Sequence, residues 1–188
     1  MNKIYQPAED SYLLSETLEK INLHNKKILD MGSGSGIQAK TILRQKIKPE
    51  NLTLADINPL AIKYLKKNFP ECSIIKSNLF EDIKDKFNLI VFNPPYLPVD
   101  KKEPESSGLA TTGGKKGSEI INRFLKDAGN YLEKDGKIIL LTSSLTRDIN
   151  WAGFNKKLLA KKKLFFERLY VFEISEKNFF DKRFHGRE

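Results

Sequence analysis

Four consecutive residues, Asn93-Pro94-Pro95-Tyr96, combine two hydrogen-bond acceptors, two rigid rings and a flat aromatic face. Each proline holds its φ at roughly −65° and restricts the residue before it. We therefore expect the Asn93 side-chain oxygen and the Pro94 carbonyl to be held as two acceptors for a planar NH2 group, on which Tyr96 can stack. A site of this kind directs the nitrogen of an amide or amino group at an activated methyl group, and catalysis comes mostly from positioning. Taken alone, the string could also be a structural Asn-Pro turn.

A second segment, Asp30-Met31-Gly32-Ser33-Gly34-Ser35-Gly36, places glycines directly after a predicted strand. Glycines let a ligand approach the backbone, and the amides of the following helix are free to bind it. The dinucleotide fingerprint needs glycine three positions after Gly34, where Ile37 stands, so that pattern fails. Asp30 would repel a pyrophosphate and attract the ammonium group of S-adenosylmethionine.

Asp56 ends the next predicted strand, and a carboxylate at that position can accept hydrogen bonds from ribose hydroxyls. Both S-adenosylmethionine and nicotinamide cofactors carry a ribose, so Asp56 alone does not distinguish them. The alternative is that Asp56 only caps the turn that follows.

The elements that must position these residues alternate between strands and helices, which predicts an α/β fold with a parallel sheet. We predict one domain over 1–188, with an N-terminal helix at 8–21 whose apolar face holds Tyr12, Leu13, Leu14, Leu18 and Ile21. Asn58-Pro59 is typical of a helix start. Residues 97–117, rich in glycine and proline, predict a mobile loop. The other predictions are strands at 27–30, 52–56, 72–76, 88–92, 137–141 and 164–174, helices at 36–46 and from Ile120 to Leu132, and a short helix ending at Trp151. For 155–162, a helix and a strand both fit the pattern.

Composition narrows the class of protein. The 188 residues are 39% hydrophobic and 30% charged, which is typical of a globular domain. No apolar run is long enough to cross a membrane, and the first residues lack the apolar core of a secretory signal. The single cysteine, Cys72, and two distant histidines predict no disulfide and no metal site. We expect a cytoplasmic protein.

The net charge of +9 raises the question of nucleic-acid binding. Lysines are scattered along the chain, which favours a solvated basic surface. One dense block, between Lys156 and Lys163, could face a ribosome, RNA or water. Contact with nucleic acid is therefore considered but not favoured.

Taken together, these segments resemble the HemK-type glutamine methyltransferases, which modify peptide-chain release factors. Tyr5-Gln6-Pro7-Ala8-Glu9-Asp10-Ser11 is similar to the opening of the short eukaryotic and archaeal branch. Matches to the same branch also occur at Gly113-Gly114 with Gly117, at Ile121 to Leu125, and at Lys163 to Val171.

The resemblance implies the class I methyltransferase fold, a Rossmann-like three-layer sandwich with a seven-stranded, mostly parallel sheet and an antiparallel last strand. It also implies that 155–162 form a strand antiparallel to 164–174. The implied reaction moves a methyl group from S-adenosylmethionine to the side-chain nitrogen of the glutamine in a Gly-Gly-Gln motif, leaving S-adenosylhomocysteine. The predicted acceptor site is Asn93, Pro94, Pro95 and Tyr96. The predicted cofactor site is Ser11, Asp30, Gly32, Gly34, Gly36, Asp56, Ile57, Asn78, Leu79 and Asn93, without a metal.

The resemblance further implies a small zinc-binding activator subunit in a heterodimer, for which a strand edge near Leu52 to Asp56 is the expected docking surface. One departure stands at Asn78, where similar proteins have an aspartate that receives the adenine amino group. Asn78 can still accept through its side-chain oxygen, but without the charge. We expect somewhat weaker cofactor affinity.

Three other functions fit parts of the pattern. An enzyme that methylates exocyclic amines of DNA or RNA could also use Asn-Pro-Pro-Tyr, but no domain for target recognition is evident. Methylation of another protein side chain is a second alternative, although the tetrahedral amine of lysine makes poor use of a flat site with two acceptors. A non-catalytic binding partner is the third, and the intact Asn93 to Tyr96 motif argues against it.

Overall fold

A computed structural model describes residues 4–99 and 112–177 of the chain. Within these residues the α-helices are α1 Glu9–Leu18, α2 Ile37–Arg44, α3 Pro59–Asn68 and α4 Glu119–Ala128. Short 3-10 helices cover Pro49–Asn51 and Gly129–Tyr131. The strands are β1 Ile28–Met31, β2 Leu52–Asp56, β3 Ser73–Lys76, β4 Phe87–Phe92, β5 Leu97–Pro98, β6 Thr112–Gly114, β7 Leu132–Ser143, β8 Phe154–Lys163 and β9 Arg168–Glu176.

Seven of these strands form one sheet in the order β3-β2-β1-β4-β7-β9-β8. Neighbours from β3 to β7 are parallel, whereas β9 runs antiparallel to both β7 and β8. The predicted seven-stranded, mostly parallel sheet with an antiparallel last strand is confirmed. The strand order reverses direction at β1 and β4, and ligands of open α/β sheets bind beyond the carboxyl ends of the strands at such a point.

Two apolar clusters cover the two faces of this sheet, which makes three layers. One cluster joins α1 and α2 to alternate residues of the central strands, such as Leu54, Val91 and Leu141. The other cluster joins α4 to the strand residues that point to the opposite face, such as Ile90 and Leu140. Strands β1 and β2 are buried along their whole length because both faces are covered.

Local signals in the sequence explain several element ends. Asn58 caps α3, since its side chain accepts a hydrogen bond from the Leu60 amide at 2.9 Å, and Pro59 takes the first helical position. Helix α1 ends at Leu18, three residues earlier than predicted, and Lys20 and Ile21 close turns instead. Tyr12, assigned to the apolar face, is exposed on the far side of α1.

Three other predictions about elements need correction. The chain from Ser144 to Gly153 contains turns in place of the short helix expected before Trp151. Leu132 begins β7 and does not belong to α4, because the 3-10 turn Gly129–Tyr131 ends the helix first. Within the segment 97–117, predicted as one mobile loop, β5 and β6 pair in a two-stranded sheet. Residues 100–111 of this segment lie outside the described residues.

The strand edges also differ from expectation. Strand β2, predicted as the docking edge, lies between β1 and β3, so its hydrogen-bonding groups are already paired. Strand β3 forms one edge of the sheet and β8 the other. The lysine-rich block belongs to β8, confirming the strand implied for 155–162, and lysines on an edge strand discourage pairing with other chains. Among the described helices, none is long and apolar enough to span a membrane.

Candidate active site

A cavity of about 400 Å³ opens at the carboxyl ends of β1, β2 and β4. The start of α1 and the first turn of α4 close its sides. Most of the predicted site residues line it together: Ser11, Asp30, Gly32, Gly34, Asp56, Ile57, Asn78, Leu79, Asn93, Pro94 and Pro95. Two predicted residues, Gly36 and Tyr96, do not line this cavity.

The glycine turn after β1 is held by the carboxylate of Asp56. One oxygen accepts from the Gly34 amide and the other from the Asn58 amide, each at 2.8 Å. Gly32 and Gly34 have φ values of +66° and +52°, a left-handed conformation that favours glycine. Asp56 thus caps its turn and lines the cavity at once, and each oxygen keeps a lone pair for a hydroxyl group.

Gly36 serves packing. A Cβ added there would lie 2.4 Å from the Phe69 ring, so only glycine lets α2 begin this close to α3. Its left-handed backbone, with φ at +74°, turns the chain into the helix.

Asp30 lies under the glycine turn and is fully buried. Its Oδ2 atom has no hydrogen-bond partner among the described residues. Burial, and secondarily the nearby Asp56 charge, raise the pKa of this carboxyl to about 8. A buried acceptor without a partner costs stability, and a cationic ligand in the cavity would relieve that cost.

The side of the cavity that contains Asn93 is built around Asp10, the second residue of α1. Its carboxylate accepts a hydrogen bond from the Asn93 side-chain amide at 3.0 Å and from the Tyr5 hydroxyl at 2.9 Å. Because a carboxylate can only accept, the NH2 group of Asn93 must face Asp10. The Asn93 Oδ1 atom must then point the other way.

That oxygen, Asn93 Oδ1, is buried and has no hydrogen-bond partner within the described part of the chain. Buried polar atoms in proteins are nearly always paired, so an unpaired one in a cavity marks a place for a ligand donor. The side-chain nitrogen of Asn93 is therefore bonded to Asp10, and its side-chain oxygen is available as an acceptor.

The backbone of Pro95 and Tyr96 is enclosed by two glycines of the 97–117 segment. A Cβ on Gly113 would lie 2.6 Å from the Pro95 carbonyl oxygen, and one on Gly117 would lie 2.3 Å from that of Tyr96. The Thr146 hydroxyl also donates to the Tyr96 carbonyl at 2.9 Å. Glycine at 113 and 117 is thus required for the Asn93 to Tyr96 segment to take this path.

The Tyr96 side chain is half-buried and packs against both apolar clusters. Burial, together with the negative charges of Asp10 and Glu167, raises the pKa of its hydroxyl well above the ordinary value. The same causes, burial and Asp10, raise the pKa of Tyr5. Both phenols therefore stay protonated around neutral pH, beside the carboxylate that orients Asn93.

Asn78 lies at the rim of the cavity in a polar network. Its amide donates to Glu81 at 2.7 Å, and its oxygen accepts from Arg123 at 3.4 Å. Leu79 next to it has a φ of +54°, and the Ser77 hydroxyl holds its carbonyl at 2.7 Å. The Asn78 oxygen thus faces a cation as well as the cavity.

Sequence reasoning missed three side chains at this site: Tyr5, Asp10 and Gln38. Tyr5 and Asp10 lie inside the segment that resembles the family, but neither was assigned a role at the site. Gln38 donates to the Ser11 carbonyl at 3.0 Å and accepts from the Ser15 hydroxyl, which fastens α1 to α2. No pattern in the chain links residues so far apart in sequence.

No group of three or more His, Cys, Asp or Glu side chains could hold a metal ion in 4–99 or 112–177.

The sheet order is that of a class I S-adenosylmethionine-dependent methyltransferase. The site agrees with this class: it lies at the carboxyl ends of the strands and contains glycines, a buried acid and an Asn-Pro-Pro-Tyr motif. Residues 8–148 match the family model described as "Methyltransferase small domain", and the chain belongs to that family.

Relatives agree with this assignment. A Methanocaldococcus jannaschii protein with the provisional name protein N5-glutamine methyltransferase MJ0928 is 38% identical over 181 residues, which are 90% of each chain. The human methyltransferase HEMK2 is 33% identical over 74% of this chain and 71% of its own. Among solved structures, Mtq2 from E. cuniculi superposes with a TM-score of 0.73 at 26% identity. That match covers 94% of this chain and 100% of Mtq2, which was solved in complex with Trm112 and described as responsible for methylating the translation termination factor eRF1.

Proposed function

We propose that this chain transfers the methyl group of S-adenosylmethionine to the side-chain amide nitrogen of glutamine in the Gly-Gly-Gln motif of a peptide-chain release factor. One observation carries the proposal: among the described residues, the buried Asn93 Oδ1 atom, oriented by Asp10, and the buried Asp30 Oδ2 atom have no hydrogen-bond partner, and both residues line one cavity. The names of the relatives support glutamine in a release factor as the acceptor.

The residues on the cofactor side fit S-adenosylmethionine. Asp30 would take the ammonium group, the Gly32 to Gly34 backbone would lie against the amino-acid moiety, and Asp56 would accept from the ribose hydroxyls. Ser11, Ile57, Asn78 and Leu79 complete the predicted contacts. When bound, the cofactor supplies a methyl group on a sulfonium, which is electrophilic enough to need no metal.

On the acceptor side, Asn93 Oδ1 and the Pro94 carbonyl would each accept one N–H of the glutamine amide. The two bonds fix the plane of the amide and hold its nitrogen in line with the incoming methyl group. The methyl–sulfur bond would break as the N–C bond forms, leaving its electron pair on the sulfur of S-adenosylhomocysteine. The amide nitrogen, more acidic once methylated, would lose one proton to solvent. Tyr96, which does not line the cavity, would anchor the motif through its packing against the apolar clusters, while Asp10 keeps Asn93 from rotating.

The same proposal includes an activator subunit, as in the complex of Mtq2 with Trm112. Strand β3, Ser73–Lys76, replaces β2 as the candidate docking edge because it ends the described sheet. We propose that this activator binds zinc.

The test is transfer from labelled S-adenosylmethionine to a purified eRF1-type release factor, with and without a small zinc-binding partner. We expect label on the glutamine of Gly-Gly-Gln, and none on a factor carrying Gly-Gly-Ala. Label on RNA or DNA with none on the factor would replace this proposal with methylation of nucleic-acid amines.

A further inference from the structure

The tip of the β8–β9 hairpin, Leu164–Glu167, exposes two large aromatic side chains. Phe165 and Phe166 are 91% and 85% exposed, more than any other large hydrophobic residue of the described chain. The Leu164 amide donates to the Glu167 carbonyl at 2.8 Å, so the two phenylalanines occupy the centre of a tight turn. Glycine, asparagine and aspartate are the usual residues at such positions.

The two phenylalanine side chains expose a large apolar area at the hairpin tip. Two phenylalanines this exposed present on the order of 300 Å², comparable to the largest apolar patch of a typical monomer, and such patches commonly bind partners. Their rings meet edge to face, with centroids 4.6 Å apart and planes at 83°, so they stabilise each other while remaining open to solvent.

The charged side chains around the tip are mostly positive. Lys163 and Arg168 are direct neighbours across the hairpin, a like-charge pair that costs stability in a sheet. Neither of them, nor Lys161, forms a salt bridge within 4–99 and 112–177, whereas Lys162 on the other face pairs with Glu9. The one acid of the tip, Glu167, accepts from the Ser143 hydroxyl. An acidic partner would offset the repulsion.

The tip lies at the end of the sheet where β4 and β7 finish, which is also where the Asn93 to Tyr96 motif follows β4. Ser143, where β7 ends, pairs with Leu169 at the beginning of β9. From there a short chain of contacts leads back to the active site: Thr146, bonded to the Ser143 amide, also donates to the Tyr96 carbonyl. A protein whose glutamine enters beside Tyr96 therefore passes near Phe165 and Phe166.

We propose that this hairpin tip docks the body of the protein substrate, outside its Gly-Gly-Gln loop, through an apolar side chain bordered by carboxylates. The inference rests on the proposed function. Protein is favoured over single-stranded RNA because two rings at 83° offer no parallel platforms for successive bases.

Steady-state kinetics on two substrates, an intact eRF1-type factor and a short peptide containing Gly-Gly-Gln, test the proposal. For Phe165→Ser/Phe166→Ser we expect KM for the factor to rise at least about tenfold, as loss of aromatic anchors does at interfaces, with kcat/KM for the peptide unchanged. Lys163→Gln/Arg168→Gln should raise the same KM less, and mainly at low salt. Leu158→Ser is the matched control, because Leu158 is an exposed apolar residue of β8 away from the tip.

An unchanged KM for the factor in the double serine variant would overturn the docking surface and leave the proposed function intact. An equal loss on factor and peptide would overturn it too, since the effect would then be structural. If the variant lost affinity only for a labelled single-stranded oligoribonucleotide, the patch would belong to nucleic acid. No transfer by the wild-type chain and its activator to either substrate would overturn the proposed function and the docking surface together.

Discussion

The two halves of the cavity are assembled in different ways. On the cofactor side, Asp30 and the glycine turn come from one continuous strand-turn-helix segment, and Asp56 ties it to the neighbouring strand. On the acceptor side, Asn93 is oriented by Asp10, 83 residues away, and Tyr96 is held by Thr146, 50 residues away. Gly113 and Gly117 pack against the same segment. The cofactor side therefore depends on local backbone conformation, and the acceptor side on contacts between distant parts of the chain.

This contrast predicts that substitutions on the acceptor side reduce transfer and spare cofactor binding. Asn93→Ala should have the largest effect, lowering kcat by roughly 10³-fold, as loss of a positioned group in an active site does. Binding of S-adenosylmethionine, measured by calorimetry, should stay within about threefold, or roughly 0.7 kcal/mol. Asn68→Ala on α3 is the control. Activity that survived Asn93→Ala would disprove the account based on two acceptors.

Asp10 tests whether the long-range contact matters by itself. Asp10→Ala frees the Asn93 amide to rotate, and we expect kcat to fall about 10²-fold. Asp10→Asn keeps one acceptor oxygen and should lose only about tenfold, with thermal stability monitored in both variants. Combined with Asn93→Ala, Asp10→Ala should add almost nothing further, because its effect passes through Asn93. Additive losses would show that Asp10 acts independently, and Glu19→Ala is the matched control on α1.

Asp30→Asn should weaken cofactor binding, which the substitutions of Asn93 and Asp10 should spare, and it should make the folded chain more stable. Burial raises the Asp30 pKa from 3.8 to about 8, so at pH 7 the folded state holds a proton that the unfolded state has lost. Stability contributed by this site therefore falls as pH rises from about 4 to 8. At pH 7 we expect Asp30→Asn to raise the free energy of unfolding by roughly 2–4 kcal/mol, and to weaken S-adenosylmethionine binding roughly 10–100-fold.

Calorimetry in buffers of different ionisation enthalpy separates this charge effect from simple packing. An ammonium group lowers the pKa of Asp30, so cofactor binding at pH 7 should release up to about one proton. The release should disappear in Asp30→Asn. Equal proton release by the wild type and the variant would mean that another group titrates.

Asn78→Asp should have the smallest effect. Aspartate restores the residue usual in similar proteins, but Asn78 already donates to Glu81, so a new carboxylate would face an existing one. Arg123 offsets part of that repulsion. We expect affinity for S-adenosylmethionine to stay equal or improve by no more than about threefold, or roughly 0.7 kcal/mol. A tenfold loss would mean that Asn78 does not take part in the cofactor site.

Sequence reasoning succeeded where local periodicity and turn chemistry decide the structure. The buried runs 52–56 and 88–92 predicted β2 and most of β4, and Asn58-Pro59 predicted the start of α3. It failed where a contact from elsewhere sets the outcome. The 3-10 turn after Ala128 ended α4 before Leu132, and pairing with β3 buried the edge of β2 that was expected to dock a partner.

The sequence by itself determined the parallel sheet, the positions of the glycine turn and of Asp56, and the position of the Asn-Pro-Pro-Tyr motif after a buried strand. These follow from neighbouring residues, because backbone preferences act over a few positions. Only the tertiary structure decided which way the Asn93 amide points, that the Asp30 Oδ2 atom has no hydrogen-bond partner among the described residues, and that Phe165 and Phe166 are exposed. Orientation, burial and exposure depend on groups brought together from distant segments, and a linear pattern carries no record of that proximity.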